Sequence, residues 1–153
     1  MSGRDVPAIV AAVSSERLFE TFLGLLESLG DNCDVVLESS HERKSHPREY
    51  RREGIERILL ESQLWNFEDL LLNDGCTSIA VLHAEHPFEV QLDEHKLIIA
   101  YGPAMHTFEA ILSDNGVPRK KNLRVISQGD HMHTSTNHFT TQFEDFASQL
   151  HAE

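Results

Sequence analysis

Histidines in one short segment near the C-terminus are spaced so that they could bind a metal ion. His131 and His133 are two residues apart, and His138 follows five residues later. In an extended segment, residues i and i+2 point to the same side of the backbone, so both imidazoles could bind zinc or another divalent transition metal. His138 could be a third ligand, and Asp130 could orient one ring. The alternative is a polar connection between a strand and a helix, with the imidazole rings exposed.

A second histidine pair, His83 and His86, flanks Glu85. Helical zinc motifs require histidines at positions i and i+4 with a glutamate beside the first, whereas this pair is three residues apart and precedes Pro87. A β-turn is therefore the favoured interpretation. If both histidine segments meet in space, His83 and His86 become further metal ligands. A metal-bound water would then be the nucleophile, with Glu85 or Asp130 as its base.

Other catalytic patterns are missing from the sequence. There is no Gly-x-Ser-x-Gly segment and no glycine-rich phosphate loop. The two cysteines, Cys33 and Cys76, lack metal-type spacing, and each opens a predicted strand. Two buried, reduced thiols in a cytoplasmic protein are expected. Whether the chain is an enzyme stays open, and no cofactor is expected unless the metal site exists.

The charge of the chain restricts its partners. With 13 basic and 25 acidic side chains, the formal net charge is −12 at pH 7, which disfavours nucleic acids and anionic membranes. The apolar run at residues 6–13 is too short to span a bilayer and is a poor signal peptide. The sequence therefore predicts a cytoplasmic protein without nucleic-acid or membrane partners.

Apolar spacing predicts the elements of the N-terminal half. Residues 15–29 have a helical pattern that Gly30 ends, and residues 33–39 form a compact apolar strand. Residues 41–54 are polar and charged, which predicts a long loop inserted into the domain. Residues 55–61 fit either a strand or a helix, with a strand favoured. An apolar helix that starts near Ser62 or Asn66 ends before Gly75.

The C-terminal half begins with the clearest pattern in the chain. Three short apolar or alternating segments at residues 79–82, 88–92 and 97–101 predict an antiparallel meander. A helix should follow Pro103, a short strand should cover residues 123–126, and a final helix should place Phe139, Phe143, Phe146 and Leu150 on one face.

This order of elements predicts a single α+β domain over residues 1–153. Its antiparallel sheet would contain the meander and one or two other strands, covered by about four helices. A profilin-like layout fits if residues 55–61 are a strand, and a ferredoxin-like layout fits if they are a helix. The favoured function is a non-catalytic binding or regulatory module, with a protein or small-molecule partner and a homodimeric state. The alternative is a metal-dependent enzyme or a metal-responsive protein that uses His131 and His133.

Overall fold

The computed structural model describes residues 8–42, 47–103, 105–117 and 135–153. Its strands are β1 (Ala8–Ala12), β2 (Asn32–Ser39), β3 (Arg48–Glu56), β4 (Thr77–His83), β5 (Glu89–Leu92) and β6 (Leu97–Tyr101). Its α-helices are α1 (Leu18–Leu26), α2 (Arg57–Asn66), α3 (Glu68–Asn73), α4 (Met105–Asp114) and α5 (Asn137–Gln149). A short 3₁₀ helix, Glu27–Leu29, continues α1. The α+β class predicted from the sequence is confirmed.

The described strands form one antiparallel sheet in the order β1-β6-β5-β4-β2-β3. Strands β4, β5 and β6 are neighbours in chain order, which confirms the predicted meander. The first and third strands of the chain occupy the two edges of the sheet. The profilin-like and ferredoxin-like layouts stay predictions.

One face of the sheet forms the core because alternate strand residues point towards the helices. Val35, Ile79 and Val90 lie on this face and are buried. Helix α1 packs on the sheet because Phe22, Leu25 and other apolar residues recur at helical spacing on one side. Gly30 ends this segment with a φ of 86°, as predicted for the helix end. None of the helices that the structure describes is long and apolar enough to cross a membrane.

The final helix α5 closes one end of the core. Thr136 caps it by accepting a hydrogen bond from the backbone N–H of Phe139. Phe143, Phe146 and Leu150 are buried, so the predicted apolar face of this helix is confirmed. The ring of Phe146 stacks on Phe67, with ring centroids 4.7 Å apart.

Two predictions about local structure were wrong, and one strand was not predicted. The predicted loop at 41–54 contains most of strand β3, because hydrogen bonds to β2 hold this charged segment in a strand despite its polarity. Residues 57–61 begin helix α2 instead of continuing a strand. The apolar run near the N-terminus forms strand β1, which pairs with β6. The predicted strand at 123–126 lies outside the described residues.

Candidate functional site

The histidines proposed as metal ligands are only partly described. His131 and His133 lie outside the described residues. His138 is exposed in the first turn of α5, and its ring lies 5.7 Å from that of Phe139. Within the described ranges, no group of three or more His, Cys, Asp or Glu side chains is placed to hold a metal ion. The metal site at His131 and His133 therefore stays a prediction.

His83 shapes the turn that follows β4. Its Nδ1 atom accepts hydrogen bonds from the backbone N–H groups of Glu85 and His86, at 3.0 and 3.1 Å. The rings of His83 and His86 lie 4.7 Å apart between centroids. Because Nδ1 is an acceptor, it is occupied by the turn, and only Nε2 of His83 could face another group.

A hydrogen-bonded chain of Ser39, His41 and Asp74 lies at the end of β2; we call it the relay. His41 Nε2 lies 2.5 Å from Asp74 Oδ2, and Ser39 Oγ lies 2.5 Å from His41 Nδ1. A carboxylate can only accept, so Nε2 carries a proton and donates to Asp74. In the neutral ring, Nδ1 then accepts the Ser39 hydroxyl proton.

Asp74 is the most buried member of the relay, with a side chain that has no exposed surface. The hydroxyl of Thr77 donates to Asp74 Oδ2 at 2.5 Å, and the backbone N–H of Cys76 lies 3.4 Å from Oδ1. Burial alone would raise the pKa of Asp74, but hydrogen bonds from Ser135, Thr77 and His41 lower it below its ordinary value. Asp74 is therefore ionised at neutral pH and held by several donors.

The order of bonds in the relay is that of the nucleophile, base and acid of serine hydrolases. Acyl transfer also needs N–H donors placed to bind an oxyanion. Here the N–H of Ser40 donates to the Cys76 carbonyl oxygen, and the N–H of His41 donates to Ser39 Oγ. The ring of Phe143 packs edge-on against the His41 ring. Within the part of the chain that is described, the relay is a hydrogen-bond network that links the end of β2 to the start of β4.

Lys96 is partly buried close to the relay. Burial lowers the pKa of its amine to about 8, although the negative charges of Asp74, Asp93 and Glu94 oppose this change. Its Nζ atom lies 3.4 Å from the carbonyl oxygen of Thr77. A substantial fraction of this amine is therefore neutral in mildly alkaline solution.

Glu38 and Glu49 face each other directly across the β2–β3 pair. Burial raises the pKa of Glu38, and the negative charges of Glu49, Glu94 and Glu89 raise it further. A hydrogen bond between the Glu38 and Glu49 carboxyl groups also favours the protonated form. This pair destabilises the fold when both carboxyl groups are ionised.

Replacing Glu38 with glutamine is expected to increase the free energy of unfolding by about 0.2–1 kcal/mol at pH 7. The folded-state pKa of Glu38 lies above its ordinary value of 4.5. Protonated Glu38 therefore stabilises the folded state fully below pH 4.5, and this stabilisation is lost as the pH rises through the folded-state pKa. Urea denaturation should show a higher free energy of unfolding for the variant than for the wild type at pH 7. This difference should shrink at about pH 4. The control is Glu53→Gln, an exposed carboxylate on the same strand. An equal gain at both pH values would contradict this explanation.

A groove runs along the outer edge of β1, and we call it the β1 groove. Its volume is about 750 Å³, and it lies between β1 and α4. Val10, in the middle of β1, is 46% exposed. Charged side chains line the groove at Arg17 and Glu109. Its other lining residues are Ala8, Ile9, Val10, Ala11, Ala12, Val13, Ser14, Met105, Leu112, Ser113, Asn115, Gly116 and Val117.

The opposite edge of the sheet, β3, is blocked against strand pairing. Six of its residues are charged: Arg48, Glu49, Arg51, Arg52, Glu53 and Glu56. Arg51 and Glu153 exchange two backbone hydrogen bonds of 2.8 and 2.9 Å along the outer side of β3. A register shift opposite Asp34 and a positive φ at Gly54 add a bulge. Charges, covering segments and bulges are the usual protections of an edge strand, and β1 has neither charge nor proline.

Helix α2 carries a second apolar surface. Ile58, Leu59 and Trp65 are 72%, 56% and 54% exposed. One side of the Trp65 ring packs against Phe19, with centroids 4.8 Å apart. Large apolar side chains that are both grouped and exposed are typical of protein contact surfaces.

Sequence reasoning missed the relay and both surfaces. His41 was assigned to a charged loop, and Asp74 was assigned to a helix stop, so neither was a candidate. A serine two residues before a histidine at a strand end is the one local signal of the relay. Asp74, the remaining member of the relay, lies 33 positions after His41.

The functional interpretation therefore depends on these three features: the relay, the β1 groove and the exposed face of α2. Comparisons of the chain with protein-family models, with curated proteins and with solved structures found no match.

Proposed function

We propose that this chain is a non-catalytic binding module that captures an extended, uncharged peptide segment of another protein in the β1 groove. The observation that carries this proposal is the contrast between the two sheet edges. Strand β3 has charges, a bulge and a covering segment, whereas among the described residues β1 has none of these protections and lies beside a groove. An apolar edge strand of this kind is a template for an added strand.

The shape and charge of the groove favour an extended ligand with uncharged side chains. An added strand would form backbone hydrogen bonds with β1 and would place alternate side chains towards α4. A volume of about 750 Å³ lies within the usual range of ligand clefts. Arg17 and Glu109 have opposite charges, so the described part of the lining has no net charge that would attract a charged peptide.

A second copy of β1 would fit this groove poorly. The residues of β1 that point towards the helices are Ile9 and Ala11, and both pack in the core of their own molecule. A paired copy of β1 therefore brings no free side chain to fill the space beside α4. A separate peptide can place larger apolar side chains there.

The test is selection of peptides by the intact protein from a phage-displayed library of eight-residue sequences. Enriched peptides should alternate apolar residues, and fluorescence anisotropy of labelled synthetic copies should give a measurable affinity. Val10→Lys introduces the kind of charge that protects natural edge strands, so it should weaken binding at least about tenfold. Methylation of alternate backbone nitrogens of the peptide should also abolish binding.

The matched control is Glu53→Lys, which changes the charge of the opposite edge strand at an exposed position. This variant should bind the selected peptides as the wild type does. Failure to enrich any peptide, or equal loss of binding in both variants, would contradict the proposal.

A further inference from the structure

The exposed face of α2 has an unusual charge composition. All five exposed residues of this helix are uncharged: Ile58, Leu59, Ser62, Trp65 and Asn66. A quarter of the chain is charged, and its formal net charge is −12. The charged residues of α2, Arg57 and Glu61, pair with each other at 2.9 Å and are partly buried. The outer face of this helix is thus an uncharged, mainly apolar surface on an acidic protein.

We propose that this face binds a second copy of the same chain, so that two α2 helices pack against each other in a symmetric dimer. A surface that contacts its own copy meets its own charges, and a neutral face avoids like-charge repulsion at the contact.

Trp65 is placed to be the centre of this contact. Its ring already packs edge-on against Phe19, so little side-chain freedom is lost when its exposed side becomes buried. Tryptophan is also among the residue types that contribute most to protein interfaces. Ile58 is two turns before Trp65 on the same side of the helix and extends the contact along the helix axis.

The size of the face sets the strength of the dimer. Five exposed residues are fewer than the roughly 20–30 residues per side of a stable interface. The dimer is therefore weak and reversible. The charges outside the contact repel each other, and salt screens this repulsion. Dimerisation should become at least about threefold tighter when salt is raised from about 0.05 to 0.5 M.

Analytical ultracentrifugation of the wild-type chain, together with tryptophan fluorescence, tests this inference. Trp65 is the only tryptophan of the chain, so its emission reports directly on the contact. With increasing protein concentration, the sedimentation coefficient should rise and the emission should shift to shorter wavelength in parallel. Ile58→Glu places a charge on both sides of the contact and should weaken dimerisation at least about tenfold.

Ala110→Glu is the matched control, because it adds the same charge at an exposed position of another helix, α4. It should dimerise as the wild type does. Val10→Lys should also leave the dimer intact, and Ile58→Glu should leave peptide binding at β1 intact, so the two proposals can fail separately. A monomer at all concentrations would overturn the inference. So would a dimer that persists in Ile58→Glu, or one that weakens with salt.

Discussion

Replacement of Asp74 with alanine is expected to lower the free energy of unfolding by about 3–5 kcal/mol. The carboxylate is fully buried and accepts hydrogen bonds from His41 and Thr77. Its removal leaves buried donors without an acceptor, and each such donor costs about 1–3 kcal/mol. For a chain of this length, thermal unfolding should shift down by about 10 °C. Urea denaturation followed by circular dichroism measures the change directly.

Two control variants separate the relay from a general effect of losing a carboxylate. Asp145→Ala removes an exposed acidic group from α5 and should change stability by less than about 0.5 kcal/mol. Thr77→Val removes one hydrogen bond to Asp74 and should cost about 1 kcal/mol. A loss from Asp74→Ala no larger than that from Asp145→Ala would show that the relay does not stabilise the fold.

The pH dependence of this effect has a defined sign. The folded-state pKa of Asp74 lies below its ordinary value of 3.8, so its contribution is complete above pH 3.8 and is lost as the pH falls through the folded-state pKa. The difference between the wild type and Asp74→Ala should therefore be largest near neutral pH. It should narrow in strongly acidic solution.

Replacement of Phe146 with alanine is expected to cost about 3–5 kcal/mol of unfolding free energy. This ring has no exposed surface and stacks on Phe67 where α5 closes the core. Alanine leaves a cavity beside Phe67 and loses the ring stacking between α5 and the start of α3. Differential scanning calorimetry should show a lower transition temperature and a smaller unfolding enthalpy.

The comparison for this variant is Phe139→Ala on the same helix. Phe139 is only partly buried, so its removal should cost less than half as much. Equal losses in the two variants would mean that helix propensity, rather than packing of the Phe146 ring, determines the effect.

The sequence predicted elements well where apolar spacing was strong. The meander, α1 and α5 have side-chain periods that match their burial, so their type and position followed from the pattern. Strand β3 does not follow this pattern because its charged residues lie at a sheet edge, where water hydrates them. Its strand conformation comes from pairing with β2, which a local pattern does not contain.

The functional features were harder to predict for a related reason. His41 and Asp74 come together only because β2 and β4 are neighbours in the sheet. The exposure of Trp65 also depends on which side of α2 packs against the core, and the apolar residues that flank it, Leu64 and Phe67, are buried. Spacing identifies residues that are close along one element, whereas these features require the strand order and the helix packing.

The backbone bonds between Arg51 and Glu153 have a consequence for how these molecules can assemble through their sheets. Continuous growth of an intermolecular sheet requires two open edges on each molecule, as in amyloid. In the part of the chain that the structure describes, Glu153 already occupies the β3 edge at Arg51, whereas β1 has no such covering residue. If β1 accepts a strand as proposed, strand addition ends after a single step, because the second edge is blocked and no fibril can grow.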